Sequence, residues 1–113
     1  MEILKKNKEF QSIYESGKKS FGYYSLIFFK KNDLENNRCG FVVSKKTGNA
    51  VCRNRLKRLF REYYRLYENR VKTGYDIIFV AKRTAGEKFQ TLKYEDMEKD
   101  LNRVLKNSKL FEN

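Results

Sequence analysis

Histidine, tryptophan and proline are absent from this 113-residue sequence, and cysteine occurs only twice. Without histidine, the chain lacks the side chain that most often serves as a general acid or base near neutral pH and most often binds metal ions. Cys39 and Cys52 lie within apolar patterns, so we expect two reduced, buried thiols and no disulfide. A metal site built on the two cysteines is also disfavoured, because no histidine is available as a third ligand.

Long hydrophobic runs are also missing. No apolar stretch approaches the ~20 residues that cross a bilayer, and the first residues, Met1 to Lys6, contain no apolar signal core. These absences predict a cytoplasmic protein with no membrane partner. The chain is long enough to bury a core, because 40% of its residues are apolar, and its length predicts one domain over residues 1–113.

Positive charge is what the sequence has in excess. Lys and Arg number 26 against 14 Asp and Glu, which gives a net charge of +12. Residues 38–61 contain eight of these cations and no acidic residue, so about a fifth of the chain carries two-thirds of the net charge. Because the cations alternate with apolar residues, they predict a folded basic surface that binds a polyanion.

Apolar spacing and turn residues predict three helices and at least three strands. The predicted elements are a helix over 7–17, strands over 23–30 and 38–45, a helix over 49–70, a strand over 75–81 and a helix over 92–106. We expect the first two strands to form an antiparallel pair and residues 82–90 to form a polar loop. With two or three strands after the first helix, the order α-β-β-β-α-β-α indicates a small α+β sandwich, its helices packed on one sheet.

The helix after Asn49 has two contrasting sides. Its apolar residues, from Cys52 to Tyr67 and including Leu66, fall within an arc of about 120° and predict the buried stripe. Cations and one asparagine occupy the opposite side and its flanks over about 16 Å. These candidate phosphate-binding residues are Arg53, Asn54, Arg55, Lys57, Arg58, Arg61 and Arg65.

The chemistry of this basic face favours phosphate. The planar guanidinium group donates two parallel hydrogen bonds to phosphate oxygens, and Asn54 can both donate and accept. Cations in the first turns of a helix oppose its dipole, so stability alone does not explain them. A solvated helix face usually mixes signs, whereas the first acid on this helix is Glu62.

A second candidate surface is aromatic. The chain has 17 Phe and Tyr, and Phe10 and Tyr14 share one face of the first helix, while Leu26 and Phe28 share one side of the first strand. Aromatic rings beside cations suit the stacking of unpaired bases without sequence preference. For each of these residues, an ordinary place in the core is an equally good interpretation.

Between Val43 and Glu62 the chain resembles the protein subunit of bacterial ribonuclease P. The motifs that carry the resemblance are Ser44-Lys45-Lys46, Gly48-Asn49-Ala50 and Arg53-Asn54-Arg55, and the similarity extends over nearly the whole length. It implies an α+β sandwich in which a left-handed β-α-β crossover passes through the Arg-Asn-Arg helix. It also implies an RNA-catalysed endoribonuclease that removes the 5′ leader from precursor tRNA, in which the partner RNA requires Mg²⁺ and the protein has no catalytic residue.

The resemblance also implies a role for each surface. The basic helix would bind the catalytic RNA subunit, and a cleft between the sheet and the first helix would bind the single-stranded leader of precursor tRNA. The residues carried over to that cleft are Phe10, Tyr14, Phe28, Lys45 and Lys46.

Three other functions account for parts of the same pattern. A ribosomal or other structural RNA-binding protein shares the same charge logic. An independent protein nuclease is disfavoured, because the acids lie away from the basic segment and only Glu62 is close to it. A membrane-surface helix is disfavoured because its apolar stripe is needed for the core. We expect neither DNA nor a membrane as a partner.

Overall fold

The computed structural model describes residues 1–112 and contains five strands and four α-helices. In chain order they are β1 (Glu2–Ile3), α1 (Asn7–Ser16), β2 (Lys18–Phe21), β3 (Ser25–Lys31), β4 (Arg38–Val42), α2 (Ala50–Tyr67), β5 (Tyr75–Ala81), α3 (Arg83–Lys88) and α4 (Tyr94–Asn107), with a 3-10 turn over Glu68–Arg70. The predicted α+β class is confirmed. The predicted order is found once the short elements β1 and α3 are added.

The five strands form one mixed sheet in the order β1-β4-β5-β3-β2. Strands β1, β4 and β5 run parallel, whereas β3 is antiparallel to both β5 and β2. The predicted pairing of residues 23–30 with 38–45 is therefore wrong, because β5 lies between β3 and β4. The apolar run Ile77–Phe79 is fully buried, as expected for a central strand that is covered on both faces.

Helix α2 is the crossover that joins the parallel strands β4 and β5. It begins where the Asn49 side chain accepts a hydrogen bond from the Cys52 amide (2.9 Å), which satisfies one of the free donors of the first turn. Beyond the 3-10 turn, Gly74 adopts a φ of +89°, which glycine tolerates best, and the chain enters β5. The left hand of this crossover stays a prediction from the resemblance.

Helices cover both faces of the sheet. Helices α2 and α4 pack on the face that includes Ile77 and Phe79, which we call the helix-pair face. Helix α1 packs alone on the other face, where Ile13 and Leu4 bury Ile78, and we call this the α1 face. Successive residues of β5 point to opposite faces of the sheet. Because Ile77, Ile78 and Phe79 are all apolar, helices have to cover both faces.

Two further expectations are corrected. Leu66 is 52% exposed, and Tyr64 takes its place in the buried stripe of α2, where its ring packs edge-on against Phe79. Residues 82–90 are not a loop but include α3, which lies close to the turn before α2. Gly86 permits that approach, since a Cβ there would come within 2.1 Å of the Thr47 carbonyl oxygen.

Candidate RNA interface

The outward face of α2 forms a wall of an open groove with a volume of about 800 Å³. Asn54, Arg58, Arg61 and Arg65 are all exposed and line this groove. The first turn of α2 contains no acidic residue that would offset their charge. The predicted basic face is therefore on the surface, and it is concave enough to enclose part of a ligand.

Two of the candidate arginines are engaged within the protein. Arg53 donates from Nη1 to the Gly48 carbonyl oxygen (2.8 Å), and Arg55 donates to the carbonyl oxygens of Phe89 (2.9 Å) and Leu92 (2.5 Å). These bonds tie α2 to the turn before it and to the loop between α3 and α4. A guanidinium group has five N–H donors, so each side chain keeps donors for a phosphate.

The remaining cations differ in their surroundings. Arg65 pairs with Glu62 at 2.6 Å, and this hydrogen bond raises the pKa of the guanidinium group. The Arg61 guanidinium carbon lies 5.7 Å from the centre of the Phe41 ring, a distance suited to a cation–π contact. Lys57 is half-buried, and Arg58 is exposed. Within residues 1–112, Arg65 is the one member of this face that is paired with a carboxylate.

The candidate aromatic residues meet on the α1 face. The Tyr14 ring packs edge-on against Phe28, with ring centres 4.8 Å apart, and the Phe10 ring lies 6.4 Å from that of Tyr14. Tyr14 is 37% exposed, and partial burial raises the pKa of its hydroxyl group. Phe10 packs over Gly40, where an added Cβ would come within 2.6 Å of the Phe10 ring. The structure thus brings these three predicted residues together between α1 and β3.

Lys19 extends this aromatic cluster and was missed in the sequence. It pairs with Phe28 across β2 and β3, and its ammonium nitrogen lies 5.4 Å from the centre of the Phe28 ring. Predicting β2 as a strand would have found it, because a hairpin over residues 18–31 places Lys19 opposite Phe28. An ammonium group beside an aromatic ring offers a phosphate contact next to a stacking surface.

An apolar row on the α1 face continues beyond the cluster, and Leu26 is the member of it that the sequence indicated. Cross-strand partners place four residues in this row, and it lies nearer the carboxyl end of β5 than Phe28 does. Its member on the edge strand, Phe21, is 61% exposed, and the other three are half-buried. The members are Phe21, Leu26, Val80 and Val42.

Lys45 and Lys46 are exposed in the turn that joins β4 to α2. The turn is closed by a hydrogen bond from the Thr47 amide to the Ser44 carbonyl oxygen (3.0 Å). Lys45 lies five residues beyond Gly40, whose sheet row contains Phe28. The two lysines therefore stand at the carboxyl end of the sheet, past the aromatic cluster, rather than within it.

Residues 1–112 contain no group of three or more His, Cys, Asp or Glu side chains that could hold a metal ion. Both cysteines are buried, and burial raises the pKa of the Cys39 thiol to about 12. No described helix is long and apolar enough to cross a membrane.

Comparison with known proteins bears on the identity of this fold. The family model described as Ribonuclease P matches residues 1–109. The chain belongs to the ribonuclease P protein family. The ribonuclease P protein component of Fusobacterium nucleatum subsp. nucleatum is 64% identical over 110 residues, which cover 97% of this chain and 99% of that protein. The ribonuclease P protein component of Alkaliphilus metalliredigens is 41% identical over 107 residues, which cover 95% of this chain and 93% of that protein.

Solved ribonuclease P proteins have the same fold. The protein from Thermotoga maritima matches with a TM-score of 0.87 and 31% identity over 95% of this chain and 97% of that one. The protein from Staphylococcus aureus at 2.0 Å matches with a TM-score of 0.87 and 32% identity, covering 99% of each chain. The expected function is confirmed: this is the protein component of an RNA-catalysed endoribonuclease that matures the 5′ end of tRNA. Its partners are an RNA subunit and precursor tRNA, and the protein itself is not catalytic.

Proposed function

We propose that this ribonuclease P protein binds two RNAs on opposite faces of its sheet. The basic face of α2 contacts the catalytic RNA, and the cleft between α1 and β3 receives the single-stranded 5′ leader of precursor tRNA. The observation that supports this division is the placement of α2 and α1 on opposite sides of β5. Because the sheet separates them, both surfaces can be occupied at once.

On α2, the three exposed side chains that have no carboxylate partner are the strongest candidates for phosphate contacts. These are Asn54, Arg58 and Arg61. Arg53 and Arg55 hold the helix against its neighbouring loops and offer their remaining donors to the same RNA. Arg65 and Lys57 add charge at the ends and flank of the face. Cations on one rigid helix neutralise phosphates without having to be ordered on binding.

In the cleft, Tyr14, Phe10 and Phe28 provide ring surfaces on which unpaired bases stack, at roughly 1–3 kcal/mol per base. Lys45 and Lys46 supply phosphate contacts at the carboxyl end of the sheet. Stacking has little sequence preference, so the same cleft accepts leaders of different sequence. The protein then adds affinity for the precursor over mature tRNA, because mature tRNA has no leader to fill the cleft.

The proposed function has further features besides the two-RNA arrangement. Residues 1–113 act as a single RNA-binding domain in the cytoplasm, and neither DNA nor a membrane is a partner. The Mg²⁺ that the reaction requires belongs to the partner RNA. By neutralising phosphates of two polyanions, the protein lowers the repulsion between the catalytic RNA and its substrate.

The test is reconstitution with the catalytic RNA at low Mg²⁺, with two variants that affect different steps. Arg58→Ala is expected to weaken assembly with the catalytic RNA and to flatten its log–log salt dependence by about one, as for one lost phosphate contact. Tyr14→Ala is expected to leave assembly unchanged and to lower the ratio of precursor to mature tRNA affinity by about tenfold, in line with one lost stacking contact.

Matched controls are Arg103→Ala and Tyr23→Ala, which remove an exposed arginine and an exposed tyrosine at other sites. Both controls are expected to behave like the unmodified protein. A Tyr14→Ala variant that binds precursor and mature tRNA in the original ratio would rule out the leader cleft. Equal loss of assembly in Arg58→Ala and Arg103→Ala would rule out a specific role for the α2 face.

A further inference from the structure

Three hollows on the surface share their lysines and form one continuous band. The first, of about 430 Å³, lies between the start of α1 and the end of β3, the second, of about 360 Å³, lies between β3 and the end of α4, and the third, of about 320 Å³, adjoins it. Lys30 and Lys31 line both the first and the second, and Lys72 and Lys109 line both the second and the third. The lysine band comprises Lys6, Lys8, Lys18, Lys30, Lys31, Lys72, Lys106 and Lys109.

The charge of this band is uncompensated. No acidic residue lines the second or the third hollow. Glu9 and Asp76 line the first, but both are paired with Arg38. Among the described residues, none of the eight lysines has a carboxylate within ion-pair distance. A protein that gathers lysines without counter-charges on one surface is suited to a polyanion.

The band starts where the proposed leader cleft ends. Lys30 lies two residues after Phe28 on the same side of β3, which corresponds to about 7 Å along the strand. The Lys30 ammonium group is held towards α1 by a hydrogen bond to the Ser12 hydroxyl (2.9 Å). A strand that leaves the aromatic cluster towards the carboxyl end of β3 therefore meets Lys30 and Lys31 next.

The shape of the band indicates a single strand. It passes from the α1 face around the end of the sheet to the carboxyl end of α4, in a molecule only 38 × 31 × 21 Å in extent. Double-stranded nucleic acid is too stiff to follow such a turn, whereas a single strand bends freely. Lysines are point charges on flexible stems, and they contact a backbone without fixing its sequence.

We propose that the lysine band binds the 5′-distal part of the precursor tRNA leader, beyond the nucleotides that occupy the cleft. This inference rests on the proposed leader cleft. It assigns to the protein a second, purely electrostatic contact with the same strand. Affinity for precursor tRNA then continues to rise with leader length after the cleft is full, and the added affinity depends on salt.

The test is the triple substitution Lys31→Gln, Lys72→Gln and Lys106→Gln, examined in the reconstituted holoenzyme. Its matched control is Lys88→Gln, Lys93→Gln and Lys99→Gln, which removes the same charge from exposed lysines outside the band. Each protein is titrated with mature tRNA and with precursors whose leaders have about 4 and about 12 nucleotides, within the range of single-strand site sizes.

The expected result is a loss confined to the long leader. Three phosphate contacts to a single strand contribute about 2 to the log–log salt slope. When salt rises from 50 to 200 mM, the affinity for the long-leader precursor should therefore fall about 16-fold further for the unmodified protein than for the band variant. The control should match the unmodified protein. Equal long-leader affinities for the band variant and its control would overturn the proposal.

Two further readouts separate this proposal from its alternatives. The band variant could also lose as much affinity for mature tRNA, or for the catalytic RNA alone, as for the long-leader precursor. That result would assign the lysines to another RNA and overturn the proposal. The leader cleft is tested independently by Tyr14→Ala on the short leader. If that variant has no effect while the band variant still loses long-leader affinity, the cleft is wrong; the lysine contact with the leader is then upheld, but its place beyond the cleft is overturned.

Discussion

At the scale of single residues, Arg38 is a cation that the sequence counts in the basic stretch but that the fold uses in contacts within the protein. Its guanidinium group donates two hydrogen bonds to Asp76 on β5 (2.8 and 2.7 Å) and one to Glu9 on α1 (2.5 Å). The bonds to Asp76, more than any other contact, raise the pKa of the Arg38 guanidinium. Arg38 belongs to the basic stretch 38–61, yet it fastens α1 to the sheet and is not free for RNA.

Glu9 predicts how acid affects the attachment of α1. Its carboxylate accepts a hydrogen bond from the Lys6 amide and pairs with Arg38, and these contacts, the Lys6 bond foremost, lower its pKa. A carboxyl group with a lowered pKa in the folded state stabilises the protein above its unfolded pKa, and this contribution is lost as pH falls through the folded value. We therefore expect the difference in unfolding free energy between the protein and Glu9→Gln to be constant near neutrality and to shrink below about pH 4.5.

Urea unfolding at several pH values measures this difference. The matched control is Glu15→Gln, which removes an exposed carboxylate on the same helix. The control is expected to show a smaller difference, because none of the described ion pairs includes Glu15. A difference for Glu9→Gln that persists unchanged to pH 3 would contradict the assigned role of the Lys6 and Arg38 contacts.

At the scale of elements, α2 was the most predictable part of the chain and β1, β2 and α3 were the least. The eighteen residues of α2 have a strong apolar period and follow the Asn49 cap, so the local sequence alone predicts a helix. A two-residue strand such as β1 has no period of its own, and it exists because β4 offers a parallel partner. The six residues of α3 are polar and become helical where Gly86 lets them pack beside the turn at Thr47.

The shift of the buried stripe of α2 towards Tyr64 and away from Leu66 can be checked with two leucines of the same helix. Leu56 is fully buried, whereas Leu66 is 52% exposed although helical spacing alone placed both in the core. We expect Leu56→Ala to lower the unfolding free energy by about 2–5 kcal/mol, because it leaves a cavity. Leu66→Ala should change it by less than about 1 kcal/mol. Chemical denaturation measures both, and equal losses would show that the buried arc lies where the apolar period put it.

At the scale of the whole molecule, the arrangement of the surfaces depends on contacts between distant parts of the chain. The basic face of α2 was predictable because its cations lie on consecutive turns of one helix. The lysine band was not predictable, since its members extend from Lys6 to Lys109 and meet only when the sheet and α4 are in place. The position of α1 on its own face was likewise hidden, because local periodicity cannot show which side of a sheet a helix will cover.

The absence of histidine makes a prediction for the molecule as a whole. No side chain with an ordinary pKa near neutrality is present, and burial raises the pKa of both cysteine thiols. The charge of the proposed RNA-binding surfaces is therefore nearly constant across this range. Between pH 5.5 and 7.5 we expect the log–log salt slope of binding to the catalytic RNA to change by less than about one. Binding isotherms at several salt concentrations and two pH values measure it, and a larger change would implicate titrating groups in the RNA or the protein.

The central place of β5 also has a consequence for the order in which the protein is made. Strands β3 and β4 are complete by Val42, but they do not pair with each other, and both wait for residues 75–81. While the ribosome synthesises α2, the chain has no finished sheet against which to bury the apolar stripe. We therefore expect the two proposed RNA-binding surfaces to form together, late in translation, when the seven residues of β5 join the strands that were synthesised before them.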